Sequence, residues 1–266
     1  MPTHRPGRPG AAPPDRGRPR PEQTRGDLLH GRNAVREALR GRRVVHRLII
    51  AEGVTLDDRL RETIALATGK GVPQVRRPRA DVDEMTGNVN HQGIVAEASP
   101  YPYADVADVT GRDGTIVALD HLQDPQNVGT LIRAALAFGA AGVLIPEDRA
   151  AEITPGVVNA SAGAAEHLPI ARVTNMVREL GRLKEAGRWV LGLDTGEDAV
   201  GISTSSLPQP AVLVVGAEGT GLGRLIRERC DVVVSIPISA AIESLNASTA
   251  GSIALFELDR QRRTAT

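Results

Sequence analysis

Five unbroken apolar runs follow one another in the second part of the chain. They occupy 115–119, 142–145, 189–193, 211–215 and 232–236. A run without polar alternation is typical of a strand that is buried on both faces, as in the centre of a parallel sheet. Helical patterns separate or follow these runs at about 125–138, 155–162, 174–187, 221–228 and 244–262. The alternation predicts an α/β fold with a largely parallel sheet, in which ligands bind at the carboxyl ends of the strands.

Shorter helical and strand patterns alternate in the first part of the chain, beginning near Leu28. They predict helices at 33–39, 56–68 and 81–86 and strands at 47–51, 73–76 and 94–98. This alternation predicts a small α/β domain. The polar loop at 88–93 contains His91 and Gln92, which either contact a nucleic acid or only form the turn.

Composition divides the chain into four segments. Residues 1–26 are rich in Arg, Pro and Gly and lack apolar periodicity, so we predict a disordered tail that either contacts RNA non-specifically or solubilises the protein. The small α/β domain covers 27–99, a Pro- and Asp-containing linker covers 100–113, and the parallel-sheet domain covers 114–266.

Charge and cysteine content exclude several classes of protein. The chain is 41% hydrophobic and 24% charged, without an apolar run long enough for a membrane span or a signal peptide, so we expect a cytoplasmic protein with no membrane partner. Cys230 is the only cysteine, which excludes an internal disulfide and a cysteine-cluster metal site. Net charge is zero, but the front of the chain is basic and the remainder acidic, a distribution that suits N-terminal contact with a polyanion.

Small polar residues are concentrated at the start of the last helical pattern. The segment 236–256 reads IPISAAIESLNASTAGSIALF, in which Ser244 or Asn246 can cap the helix. Buried hydroxyl and amide groups need hydrogen-bond partners, so this density is typical of a binding site. An ordinary capped helix with small residues for close packing is the alternative.

A glycine-rich turn follows the apolar run 211–215. In VLVVGAEGTGL, Gly216, Gly219 and Gly221 allow the backbone to approach a ligand closely. The pattern is neither a P-loop nor a dinucleotide-binding fingerprint. Glu218 would repel a phosphate, so the turn favours a ligand with a cationic or neutral polar group.

A third polar block, DHLQDPQNVG, begins the helix predicted at 125–138. Asp124 and Pro125 form an N-cap and first helical residue. Asn127 and Arg133 lie six residues apart, so they do not share one face of that helix. Arg133 therefore projects toward a neighbouring element or subunit, or it is an ordinary solvated helix residue.

Together, the blocks NxGxxxR, GxEGxGL and IPxxxxxxSLNxSxAxxIALFE resemble the SpoU family of RNA ribose 2′-O-methyltransferases, in the knotted SPOUT class. The N-terminal pieces HGRNAVREAL and HQGIVA resemble the small substrate-binding domain of the bacterial branch that methylates a guanosine in large-subunit ribosomal RNA. The resemblance covers about residues 28–263. One small departure is Ala247, where Val is more usual.

The resemblance implies a C-terminal domain with a deep trefoil knot and a homodimer that acts on ribosomal RNA with S-adenosylmethionine and no metal. The implied cofactor-binding residues are Gly216, Ile236 and Leu245, with Ala217 and Thr195 as weaker candidates, and the implied catalytic set is Asn127, Arg133, Glu218, Ser244 and Asn246. Because a guanidinium stays protonated at neutral pH and is a poor base, our hypothesis is that Arg133 clamps a phosphate and orients the hydroxyl. Transfer RNA, or a ribosomal site conferring antibiotic resistance, is the alternative substrate. A non-catalytic RNA-binding or ribosome-assembly protein is the alternative class.

Overall fold

The structure is a computed structural model that describes residues 26–148 and 150–264. The tail predicted to be disordered lies, apart from Gly26, outside the described residues. In the described part, no helix combines the length and the apolar character needed to cross a membrane. The described chain forms two sheets, one of four strands and one of seven.

The four-stranded sheet belongs to the N-terminal part of the chain. Its strands are β1 Asp27–His30, β2 Val45–Ala51, β3 Gln74–Arg77 and β4 Ile94–Ala98, and its helices are α1 Arg32–Arg40, α2 Asp58–Gly69 and α3 Arg79–Thr86. The strand order is β1-β4-β2-β3, with β4 antiparallel to both neighbours and β3 parallel to β2. Strand β1 was not predicted, because four residues next to a glycine give no periodic signal.

Local sequence explains where these helices begin and what they bury. The side chain of Asp57 accepts a hydrogen bond of 2.9 Å from the backbone N–H of Leu60, which caps α2. The loop before β4 is fixed by His91, whose side chain is 1% exposed. Its Nε2 lies 2.9 Å from Asp83 Oδ1, and its Nδ1 accepts the N–H of Gly93 at 3.1 Å. His91 therefore forms the turn and is not available to contact RNA.

The seven-stranded sheet belongs to the C-terminal part, and all its strand pairs are parallel. Its strands are β5 Ile116–Leu119, β6 Gly142–Pro146, β7 Ile170–Val173, β8 Trp189–Leu193, β9 Val200–Gly201, β10 Ala211–Val215 and β11 Val232–Ser235. Its helices are α4 Val106–Thr110, α5 Pro125–Ala137, α6 Pro155–Ala160, α7 Met176–Glu185, α8 Arg224–Arg227 and α9 Ala247–Thr264, with a 3₁₀ turn at Ala164–Glu166. The predicted α/β class with a parallel sheet is confirmed.

The strand order of this sheet is β7-β6-β5-β10-β8-β11-β9. Strand β10 therefore lies between β8 and the distant strand β5, and the carboxyl ends of β8, β10 and β11 come together. Short apolar runs predict that strands exist, but their order follows from packing of distant segments. The trefoil knot stays a prediction.

Three elements escaped prediction in this domain. Strand β7 has the sequence IARV, in which Arg172 interrupts the apolar run, and β9 is only two residues long. Helix α4 lies within the segment predicted as a linker. The last helix begins at Ala247 and not at 244, because Asn246 is its capping residue.

A buried ion pair joins the N-terminal domain to the 3₁₀ turn of the C-terminal domain. The side chain of Arg43, after α1, is 0% exposed, and its Nε lies 3.1 Å from Oε1 of Glu166, which is 1% exposed. Arg43 Nη1 also donates to Asp27 Oδ2 at 2.5 Å, and its guanidinium lies 5.1 Å from the ring centroid of Tyr101. Burial raises the pKa of Glu166, while the charge of Arg43 opposes that rise.

Close packing reinforces this contact between the domains. Tyr101 donates its hydroxyl to the carbonyl of Ala165 at 2.7 Å. A Cβ on Gly41 would lie 2.8 Å from Cβ of Glu166, and a Cβ on Gly163 would lie 2.5 Å from Cβ of Glu37. The two glycines therefore permit a backbone approach that any side chain would prevent, and the N-terminal domain is held against the C-terminal sheet in one orientation.

Replacing Arg43 tests this contact. Arg43→Met leaves the carboxyl of Glu166 buried without its partner, so we expect the free energy of unfolding to fall by about 3–5 kcal/mol. The double variant Arg43→Met/Glu166→Leu removes both charges and should recover most of that loss, since an apolar pair of similar volume can replace a buried ion pair. Urea unfolding followed by circular dichroism measures both. A single variant as stable as the wild type would contradict the assigned contact.

Candidate active site

A cavity of about 200 Å³ opens at the carboxyl ends of β8, β10 and β11. The residues predicted to bind the cofactor all line it: Thr195, Gly216, Ala217, Ile236 and Leu245. Two residues predicted to be catalytic, Glu218 and Ser244, line it too. The remaining lining comes mainly from the ends of the same strands and from the first turns of α9: Leu193, Asp194, Val215, Gly219, Gly221, Ile238, Glu243, Ala247 and Ala250.

The glycine-rich turn after β10 folds tightly back on itself. The N–H of Gly221 donates to the carbonyl of Ala217 at 3.1 Å, and both Gly219 and Gly221 adopt positive φ, at 76° and 62°. A Cβ on Gly216 would lie 2.3 Å from the carbonyl oxygen of Gly221. Glycine is therefore required at 216 for contact within the turn itself, and the turn presents backbone to the cavity.

Three of the predicted catalytic residues meet in one hydrogen-bonded cluster. Asn246 Nδ2 donates to Asn127 Oδ1 at 2.8 Å and also to Glu218 Oε1. Asn246 Oδ1 accepts the backbone N–H groups of Ser248 at 3.0 Å and of Thr249 at 3.1 Å, so the same side chain caps α9. Asn246 therefore caps the helix, as one of the two interpretations of this segment predicts, and the same side chain also belongs to the polar cluster.

Ser248 completes this cluster, although the sequence interpretation did not single it out. Its side chain is buried, and its hydroxyl lies 3.2 Å from Asn127 Oδ1 and 2.7 Å from Asn246 Oδ1. Ser244, which was predicted to be catalytic, is instead exposed on the wall of the cavity, outside this cluster. The hydroxyl of Ser248 contacts both amides because Ser248 lies in the first turn of α9.

Arg133 stands apart from the other predicted catalytic residues. Its side chain is exposed on α5, whereas Asn127 on the same helix is 6% exposed and faces the cluster. Within the described ranges Arg133 has no ion-pair or hydrogen-bond partner. The structure thus agrees with the helical geometry: within one chain, Arg133 and Asn127 face different surroundings.

Asp120, directly after β5, also escaped the sequence interpretation. It is 2% exposed, accepts the N–H of Gly223 at 2.8 Å, and lies 2.5 Å from Nδ1 of His121. His121 has a positive φ of 58°, which is uncommon for a residue with a side chain. Asp120 thereby ties the end of β5 to the start of α8. Its position immediately after a buried strand is the feature of the sequence that indicates a functional role.

Asp194, at the end of β8, forms a further ion pair at the cavity. Arg227 Nη1 lies 3.0 Å from Asp194 Oδ2, and Arg227 Nη2 lies 2.5 Å from Asp198 Oδ1.

Cys230 is not a candidate nucleophile, because burial raises the pKa of its thiol to about 12. The described residues contain no group of three or more His, Cys, Asp or Glu side chains placed to hold a metal ion.

Two family models match the chain. The SpoU rRNA methylase family matches residues 114–256, and the family of RNA 2′-O ribose methyltransferase substrate-binding domains matches residues 28–104. An uncharacterized tRNA/rRNA methyltransferase of Mycolicibacterium paratuberculosis is 43% identical over 272 residues, covering 98% of this chain and 87% of the relative.

Solved structures agree with these matches. The SpoU methyltransferase AviRb from Streptomyces viridochromogenes, in complex with AdoMet, is 27% identical with a TM-score of 0.74 and covers 89% of this chain and 90% of its own. An AdoMet-bound rRNA methyltransferase from Sinorhizobium meliloti is 25% identical with a TM-score of 0.73, covering 92% and 90%.

Substitution of Asn246 separates its two roles. Asn246→Ala removes the cap of α9, so we expect the free energy of unfolding to fall by about 1 kcal/mol. Asn246→Ser keeps a capping oxygen but is too short to bridge Asn127 and Glu218, and it should stay close to wild-type stability. Thermal and urea unfolding compare the two variants. Equal destabilisation by Ala and Ser would show that the bridge, and not the cap, carries the stability.

Proposed function

The chain belongs to the SpoU rRNA methylase family, and we propose that it transfers the methyl group of S-adenosylmethionine to a ribose 2′-hydroxyl in RNA, at a guanosine of large-subunit ribosomal RNA. Dependence on S-adenosylmethionine and action on RNA follow from the family and from its AdoMet-bound members. We propose the remaining points: that the methylated atom is a ribose oxygen, that the nucleoside is a guanosine, and that the RNA is ribosomal.

The observation that carries the proposal is the contact between the cavity and the amide cluster. Glu218 belongs to both, since it lines the cavity and accepts a hydrogen bond from Asn246. The cavity suits the cofactor: the glycine-rich turn that begins at Gly216 forms part of its wall, and the lining carboxylates suit a ligand that carries a sulfonium and an ammonium group. A hydroxyl placed against the cluster would lie beside the cofactor.

The choice of ribosomal RNA rests on the N-terminal domain. That domain matches the substrate-binding model of RNA ribose methyltransferases, and the contact through Arg43 and Glu166 fixes it against the C-terminal sheet. A second RNA-binding unit in a fixed orientation suits a large folded RNA that contacts both domains at once. Transfer RNA stays the alternative substrate.

The chain's own residues have mainly to align the hydroxyl and assist removal of its proton. S-adenosylmethionine supplies an already activated methyl group when bound. The amides of Asn127 and Asn246 are held by a hydrogen bond between them, so they offer fixed polar groups next to Glu218 on the cavity wall. The unpaired guanidinium of Arg133 is suited to a bidentate grip on a phosphate next to the ribose, with the proton passing to phosphate or water.

A homodimer would bring Arg133 to a catalytic cluster. An apolar surface on α5 and α9 consists of Leu136, Ile253 and Phe256, which are 37%, 38% and 52% exposed. The ring of Phe256 packs edge-on against Phe138 at 5.7 Å, which holds it in place on this surface. Arg133 lies on α5 three residues before Leu136. We infer that this surface is the dimer interface and that Arg133 serves the partner's site.

The direct test is methyl transfer to defined RNA. Purified protein is incubated with labelled S-adenosylmethionine and ribosomal RNA from a strain lacking the gene, and modified nucleosides are identified by mass spectrometry. The proposal expects a 2′-O-methylguanosine at one position of the large-subunit RNA. Methylation of a base, or of transfer RNA alone, would contradict the proposed target. Absence of transfer to any RNA would favour the non-catalytic RNA-binding alternative.

Arg133→Lys tests the phosphate clamp. Lysine keeps the charge but loses the planar fork, so we expect kcat/KM for RNA to fall by about 10- to 100-fold, as misplacement of a reacting group does. Binding of S-adenosylmethionine, measured by calorimetry, should not change. Arg178→Lys, at an exposed arginine on α7, is the matched control and should keep full activity. Full activity of Arg133→Lys would rule out the bidentate clamp.

Phe256→Glu tests the interface. A charge at the centre of the apolar surface should convert a dimer into monomers in analytical ultracentrifugation.

If Arg133 acts across the interface, mixing Arg133→Ala with Asn246→Ala subunits creates heterodimers that each contain one intact site, and recovers about a quarter of wild-type activity after subunit exchange. A mixture as inactive as either parent would place Arg133 in its own subunit's site.

A further inference from the structure

The cavity lining is acidic. Asp194, Glu218 and Glu243 all line it. Among the described residues, no Arg, Lys or His lines it.

These three carboxylates differ in how far their charge is compensated. Asp194 lies 3.0 Å from Arg227, so its charge is largely neutralised within the protein. Glu218 receives a hydrogen bond from the neutral amide of Asn246. Glu243 is exposed and has no hydrogen-bond or ion-pair partner in the part of the chain that the structure describes. Two of the three charges therefore remain available to a ligand.

Methyl transfer changes the charge of the cofactor. S-adenosylmethionine carries a sulfonium, an ammonium and a carboxylate, with a net charge of +1. When the S–CH₃ bond breaks, its electron pair stays on sulfur and leaves a neutral thioether, so S-adenosylhomocysteine has a net charge of zero. The methyl group forms a bond to the ribose oxygen, whose proton leaves to phosphate or solvent. The cavity thus holds a cation before the reaction and a neutral zwitterion after it.

We propose that Glu243, together with Glu218, makes the cavity select the sulfonium form of the cofactor over its thioether product by charge, and so favours exchange of spent cofactor for fresh. This inference rests on the proposed use of S-adenosylmethionine and not on the identity of the RNA. It assigns a specificity role to Glu243. The carboxylates attract the sulfonium charge, which disappears in the reaction. The neutral product is therefore held less tightly than the substrate form of the cofactor.

The expected size of the effect follows from exposure. Glu243 is exposed, so water and salt screen its charge, and an exposed pair of opposite charges contributes only about a twofold to fivefold change in affinity. The same screening makes the preference dependent on salt, since ions weaken interactions between exposed charges. A preference that arose from shape or hydrogen bonding would not depend on salt in this way and would not be limited to this small change in affinity.

Calorimetry with three ligands separates charge from contact. S-adenosylmethionine, S-adenosylhomocysteine and sinefungin, in which an amine-bearing carbon replaces the methylated sulfonium, are titrated into wild type, Glu243→Gln and the control Glu185→Gln. Glu185 is exposed at the end of α7, away from the cavity lining. Glutamine keeps the size and polarity of glutamate without its charge.

For Glu243→Gln we expect the ratio of the Kd of S-adenosylhomocysteine to that of S-adenosylmethionine to fall by about twofold to fivefold. The Kd of sinefungin should rise together with that of S-adenosylmethionine, and Glu185→Gln should leave the ratio unchanged. High salt should reduce the ratio in wild type but much less in Glu243→Gln.

Two results would overturn this inference. Equal weakening of all three ligands by Glu243→Gln would show that Glu243 makes a contact without charge selection, and an unchanged ratio would show that its charge does not act on the ligand. Failure of wild type to bind any of the three ligands would instead overturn the proposed cofactor itself, which distinguishes the two failures. Circular dichroism of each variant verifies that the exposed substitution leaves the fold intact.

Discussion

The side-chain amide of Asn246 joins three parts of the chain that are far apart in sequence. Its oxygen accepts two N–H groups at the start of α9, and its nitrogen donates to Asn127 on α5 and to Glu218 in the turn after β10. A neutral amide can do this because it carries an acceptor and two donor hydrogens on one planar group. The cavity walls and the polar cluster depend on this group to hold one relative position.

Sequence patterns predicted the elements of the fold better than their arrangement. Apolar runs such as Ala211–Val215 are strong local signals, because a strand buried on both faces needs apolar side chains at every position. The two residues of β9 and the Arg172 in β7 lack such a signal. Strand order, and the pairing of Arg43 with Glu166 across 123 positions, come from tertiary packing, which no local pattern encodes.

The candidate site shows the same division. Family motifs pointed to Asn127, Glu218 and Asn246, and the structure brings these together. Ser248 was missed because its role depends on the exact start of α9, and helix boundaries are the least reliable part of a sequence interpretation. Asp120 and Asp194 each follow a buried strand. Ligands bind at the carboxyl ends of the strands in parallel α/β sheets, so the position of both residues after a strand is a signal present in the sequence.

The position of Arg133 follows from a geometric restriction on its helix. Six residues rotate a helix by about 240°, so a helix that buries Asn127 against α9 must turn Arg133 away from the same cluster. In one chain the two side chains therefore face different surroundings, and in the proposed dimer a second subunit brings Arg133 to the cluster. The exposed apolar side chains near Arg133 on α5 and α9 are the surface that we propose such a subunit binds. In the proposed dimer, each site takes Asn127 from one subunit and Arg133 from the other, because the two residues face different sides of α5.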